Sequence, residues 1–147
     1  MVGKTVPATK KIRELTEERI LKAPEKDYMN EEQLEFFKKR LLDLRAQLLQ
    51  NADDTGERLR ETEVTTDPSD RATLEEEYTL ELRTRDREHK LMKKVEKSLR
   101  LIETGGYGFC EETGEPIGIP RLLARPTATL SLEAQERWER LQKLYGD

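Results

Sequence analysis

The sequence contains one cysteine, one histidine and one tryptophan, and aromatic residues make up 5% of its 147 positions. A lone cysteine cannot close an internal disulfide, and small secreted domains ordinarily carry an even set, so a disulfide scaffold is excluded. No stretch approaches the roughly 20 apolar residues that span a bilayer. The opening residues, Met1 to Ile12, are polar and lack the apolar core of a signal peptide. A cytoplasmic chain without membrane contact is expected. Hydrophobic residues are also scarce, at 34% against 39% charged. That is too little apolar surface for a compact globule and too much charge to hide in one. Such a chain either stays partly unfolded or spends its apolar residues on a narrow seam between long helices.

Periodicity favours the seam. Asn30-Glu31-Glu32-Gln33 reads as a capping box that opens a long helix. Leu34, Phe37, Leu41, Leu44 and Leu48 follow at alternating steps of three and four, the spacing of a coiled coil. The pattern weakens at Asn51 and Thr55 and returns at Leu59. Pro68, preceded by Thr65, Thr66 and Asp67, ends one helix and opens the next. The second run carries Leu74, Tyr78, Leu82, Met92, Val95, Leu99 and Ile102. Two helices of similar length with one turn between them fold back as an antiparallel hairpin.

Centring the turn near Thr66 and Asp67 pairs Leu34 with Leu99, Leu41 with Met92 and Leu59 with Leu74. Arms of about 32 residues at 1.5 Å per residue would reach on the order of 50 Å. The same register sets Leu48 against Arg85 and Leu44 near His89, so the base is expected to be well packed and the middle loose. His89 is read as a seam or surface residue, since no acid or nucleophile accompanies it by spacing. A hairpin that consumes its own seam is expected to be a monomer.

Three parts follow: a leader over 1–29 that packs with the lobe, a hairpin over 30–104 with its tip near 63–72, and a lobe with a last helix over 105–147. Within the leader, Ile12, Leu15 and Ile20 form a short amphipathic candidate. The lobe is rich in turns, from Gly105-Gly-Tyr-Gly-Phe-Cys110 onward. Its expected core is Phe109, Ile117, Ile119, Leu122, Leu130 and Trp138. Ser131 is the candidate N-cap of a helix carrying Leu132, Trp138, Leu141, Leu144 and Tyr145. The fold class is therefore mainly α, a long antiparallel coiled-coil hairpin with a small lobe and a C-terminal helix.

Charge is divided unevenly. Ten acidic and three basic residues lie between Asp53 and Glu77, and eight basic and three acidic ones between Arg83 and Arg100. The net charge of −4 lacks the basic excess of a nucleic-acid binder, so direct sequence-specific DNA recognition is not expected.

Five separated strings stand in order along the chain: Tyr28-Met-Asn-Glu, Asp67-Pro-Ser-Asp-Arg-Ala72, Glu75 through Arg83 with Arg85-Asp-Arg-Glu and Lys90-Leu, Ile117-Gly-Ile, and Ala124-Arg-Pro-Thr-Ala128. Together they resemble the DksA family of bacterial transcription regulators. The resemblance implies binding to RNA polymerase through its secondary channel together with ppGpp, and control of initiation, for example at ribosomal RNA promoters. It implies a working tip at Asp67, Asp70 and Ala72, and ppGpp contacts at Leu91, Lys94, Arg121 and Arg125, with Gln135 where zinc-binding relatives have a basic residue.

The family's lobe is often a four-cysteine zinc finger, whose ligands map onto Cys110, Thr113, Ser131 and Ala134. Three of the four are lost, and a structural site needs four donors, so a degenerate, zinc-independent lobe is expected. Cys110 is read as a small packed residue. The alternatives are a Gre-type transcript-cleavage factor, which would hold a second metal, and a purely structural coiled-coil adapter. No chemistry by the chain itself is expected.

Overall fold

The structure is a computed structural model that describes residues 15–62 and 68–145, with the side chains of 55, 58–62 and 68–70 left out. Five α-helices occur among the described residues, and no β-strand. The first, α1, spans Glu17–Lys22. Thr16 caps it, its hydroxyl accepting from the Arg19 N–H at 3.3 Å, with Glu17 and Glu18 in the first turn and Lys22 in the last. Pro24 disfavours helical geometry at the residue before it, and Ala23 is extended at φ −65°, ψ 144°. Of the expected leader residues, Ile20 is buried and Leu15 half-buried, while Ile12 lies outside the described residues.

After a 3-10 turn at Glu25–Asp27, the capping box forms as the sequence predicts. The Gln33 N–H donates to Asn30 Oδ1 at 2.9 Å. Gln33 Oε1 reaches back to the Met29 N–H, also at 2.9 Å. Helix α2 then runs over Glu31–Thr62, and α3 over Pro68–Thr104, with proline at its first position, where the missing N–H costs nothing. The two pack as a coiled-coil hairpin. Short α4 spans Ile119–Ala124, and α5 spans Leu132–Tyr145.

The chain divides into two compact units, one running up to Leu41 and again from Ser98, the other Leu42–Lys97. In the first, α1 packs on α4. Ile20, Phe37, Leu41, Tyr107 and Leu122 form its core, none more than 1% exposed. The Phe37 ring meets Tyr107 at 5.6 Å between centroids and stands edge-on to Phe36. Arg40 ties α2 to α1 and α4, pairing with Glu17 at 2.6 Å and donating to the Leu123 carbonyl at 3.3 Å.

Two expectations for this unit fail. Phe109 and Trp138 are 37% and 47% exposed, whereas Ile117 and Leu122 are buried as expected and Tyr107 joins them. Tyr107 fits because its hydroxyl donates to the Pro126 carbonyl at 2.7 Å, which satisfies the polar end of a buried ring.

The second unit is a two-helix shaft. The positions on α3 that are buried or half-buried here are Leu74, Tyr78, Glu81, Thr84, Glu88, Leu91, Met92 and Val95, whereas Leu82 is 41% exposed. The sequence places Leu82 in the seam and sets Arg85 and His89 against leucines. In the structure Arg85 and His89 are exposed but line the same cavity as Leu48, in keeping with that register, and a polar step that the sequence did not signal lies beside them, Asn51 Nδ2 donating to Glu88 Oε2 at 2.8 Å. A cavity of about 480 Å³ beside it is lined by residues including Leu48, Ala52, Leu82, His89 and Met92.

Candidate functional site

Of the expected tip, Asp67 lies outside the described residues. Asp70 falls in the first turn of α3, and Ala72, like its neighbour Arg71, is exposed. Sequence alone accounts for this local form, since Pro68 starts the helix and acids near a helix N-terminus are favoured by its dipole.

The lobe is built on a short hairpin-like turn. Phe109 and Pro116 form an antiparallel bridge, flanked by Cys110 N–H to Glu115 O and Ile117 N–H to Gly108 O, both 2.8 Å. The turn closes with the Gly114 N–H on the Cys110 carbonyl at 2.9 Å, and Gly114 has a φ of +77° that favours glycine. The Glu111 N–H donates to Thr129 O at 2.9 Å, joining this turn to the segment before α5. Ser131 caps α5 as expected, its hydroxyl accepting from the Ala134 N–H at 3.2 Å.

These links bring Cys110, Thr113 and Ser131 together. Cys110 is 3% exposed. Burial pushes its thiol up, but hydrogen bonds from the Thr113 side chain and from the backbone at Ser131, Thr113 and Glu112 outweigh it and lower it from 9.0 to about 6. The donor set is not that of a zinc site. It offers one sulfur, two hydroxyls that already accept from the Glu115 and Ala134 N–H groups, and at the fourth position the methyl of fully buried Ala134. No cluster of three or more histidine, cysteine or acidic residues suited to a metal occurs among the described residues.

On α3, Leu91 is half-buried and Lys94 exposed. In the lobe, Arg125 is exposed, and half-buried Arg121 spends its Nε–H on the Leu130 carbonyl at 2.9 Å. Gln135 is half-buried and donates to Glu139 at 3.3 Å. Arg121 therefore has a structural task that its sequence position did not reveal.

Sequence reasoning also missed Tyr28 as an organiser of the lobe. Its hydroxyl donates to Gly108 O at 2.5 Å and accepts from the Gly118 N–H at 3.0 Å. Burial raises the phenol pKa, opposed by the backbone hydrogen bonds at Gly118 and Ile117, so it remains a neutral donor. The only signal was the recurrence of Tyr28-Met-Asn-Glu in the family resemblance.

Comparison with known proteins matches residues 33–102 to the family described as DnaK suppressor protein DksA, N-terminal domain. Residues 105–140 match the prokaryotic dksA/traR C4-type zinc finger. A relative from Caulobacter vibrioides named RNA polymerase-binding transcription factor DksA is 52% identical over 121 residues, covering 82% of this chain and 85% of that protein. Its counterpart of the same name in Escherichia coli K12 is 47% identical over 113 residues, 76% of this chain and 75% of that one. The solved structure of transcription factor DksA2 from Pseudomonas aeruginosa aligns with a TM-score of 0.79 and 42% identity, over 87% of this chain and 99% of that chain.

Proposed function

The chain belongs to the DksA family, and from that premise we propose that it is a transcription regulator that binds RNA polymerase through the secondary channel. The observation that carries the reading is similarity over both parts of the molecule: 52% identity to the Caulobacter factor across four-fifths of the chain, with hairpin and lobe each matched to the family. The hairpin presents Asp67, Asp70 and Ala72 to the polymerase, and the chain performs no reaction of its own. Carboxylates brought near a magnesium-bearing centre would act by favouring one polymerase state over another, because equal affinity for both states shifts nothing. The effector is ppGpp, with Leu91 and Lys94 on α3 and Arg121 and Arg125 in the lobe as its contacts. Arginine suits this role because its guanidinium binds two phosphate oxygens at once. Zinc is not a cofactor, for the donor-set reasons given above.

The test is transcription from a ribosomal RNA promoter with purified polymerase, with and without ppGpp, comparing wild type with Asp70→Asn. Loss of regulation by Asp70→Asn with an unchanged unfolding midpoint is the expected result. Equal output from both proteins removes the tip from the mechanism. Stimulated RNA cleavage in stalled complexes would replace this reading with that of a cleavage factor.

A further inference from the structure

A structural zinc joins separate turns through four ligands at about 2.0–2.3 Å and contributes folding energy to a lobe too small to close by itself. The donors at Cys110, Thr113, Ser131 and Ala134 do not fit that ion, so hydrogen bonds must do its work: Glu111 N–H to Thr129 O joins the two former ligand turns, and the open end of the first turn needs a link of its own.

Tyr28 stands at the open end of the 108–117 turn. The last backbone rung there is Ile117 N–H to Gly108 O at 2.8 Å. The phenol adds a second donor to the same Gly108 oxygen and accepts from Gly118, the next residue along the opposite side. One hydroxyl thus bonds both sides of the turn. The ring stands edge-on to Phe109, 5.6 Å between centroids at 84°, which accounts for part of that residue's packing.

The neighbouring residue adds steric support. Met29 lies in the left-handed region at φ 54°, with its side chain so close to Gly108 that a Cβ there would come within 2.7 Å of Met29 Cγ. The Met29 N–H is satisfied by buried Gln33, so the capping box that starts α2 also fixes where Tyr28 points.

We propose that Tyr28 is the clasp of this lobe: a phenol from outside it, positioned by the capping box at residues 30–33, holds the 108–118 turn closed and makes lobe folding depend on that hydrogen-bonded link and not on a metal. The clasp acts at the open end of the turn, while the Glu111 N–H on Thr129 O ties its other end to the segment before α5. The inference rests on the zinc-free reading of the lobe, and the experiment separates the two.

Full-length protein is measured for bound zinc and for its thermal midpoint with and without a strong chelator. Tyr28→Phe, which keeps the ring but removes both hydrogen bonds, is measured in metal-free buffer. The expected results are substoichiometric zinc, a midpoint indifferent to chelator, and a fall of roughly 4–8 °C for Tyr28→Phe, from two lost bonds in a chain of this size. Exchange of the Gly118 amide should also quicken by about tenfold, the equivalent of one lost hydrogen bond. Stoichiometric zinc with a chelator-induced fall overturns the zinc-free reading. An unchanged midpoint and unchanged Gly118 exchange in Tyr28→Phe overturn the clasp even if zinc is absent. Neither readout uses transcription, so a failure of the polymerase reading cannot be mistaken for either.

Discussion

In the unit formed by the base of the hairpin and the lobe, Ile20, Phe37, Leu41, Tyr107, Leu122 and Ala134 are all sealed from water. In the shaft, among the described residues, only Leu48 and Val95 are. The first unit is also linked across long sequence separations, by Tyr28 to Gly108, Arg40 to Leu123 and Tyr107 to Pro126. Between the shaft helices Asn51 donates to Glu88, beside a cavity of about 480 Å³. Regions with few buried apolar contacts open at lower free energy than packed cores. The comparison therefore separates a rigid anchor from a more compliant arm, a sensible division if the arm must adapt to a partner while the anchor keeps its shape.

The most severe way to break this contrast is to hollow out the anchor. Phe37→Ala removes a ring with no exposed surface that touches both Phe36 and Tyr107. It should cost about 3–5 kcal/mol in denaturant unfolding. A loss below about 1 kcal/mol, the size of an ordinary substitution, would mean that the base is not the stable part.

A subtler handle is pH. The Cys110 thiol titrates at about 6 in the folded protein against 9.0 ordinarily, so between those values the unfolded chain holds a proton that the folded chain has released. Stability should rise as pH climbs from about 6 toward 9, with a slope of up to about 1.4 kcal/mol per pH unit, and this contribution is lost as pH falls through about 6. Cys110→Ala should flatten the profile in unfolding curves collected across that range. An identical slope in the variant would assign the dependence to other groups.

The smallest effect is expected in the shaft. Replacing both members of its polar step, as in Asn51→Leu with Glu88→Leu, removes two half-buried polar groups together. The result should be neutral or stabilising by about 1 kcal/mol, read from amide exchange in the shaft helices. A marked destabilisation would show that the Asn51 to Glu88 bond holds the arms in register and is not a weak point.

Much of this architecture was legible in the residue order because its causes are local. The step of three and four in α2, the box at Asn30 and Gln33, the break at Pro68 and the cap at Ser131 each act within one or two helical turns. The register through the shaft's middle was less legible. It depended on whether Leu82 or Glu88 would face inward, and periodicity alone does not rank a leucine against a glutamate that has found Asn51. In the lobe, hydrophobicity marked Phe109 and Trp138 as core, but their positions left them at the surface, and Tyr107 was overlooked because its buried hydroxyl needed a carbonyl 19 residues away. In the candidate site, the loss of zinc donors was plain from residue type. That Cys110, Thr113 and Ser131 still meet was not plain, since only the fold closes the gap between their turns.

The sequence by itself determined the helical character, the starts of the two long helices and of the last one, and the donor chemistry at the lobe, because propensity, capping and ligand type are properties of residues and their near neighbours. Tertiary structure alone decided which stripe of α3 faces inward, what fills the lobe and which side chain closes it. Those outcomes depend on partners as much as 90 residues apart, and their free energy exists only once the chain has brought them together.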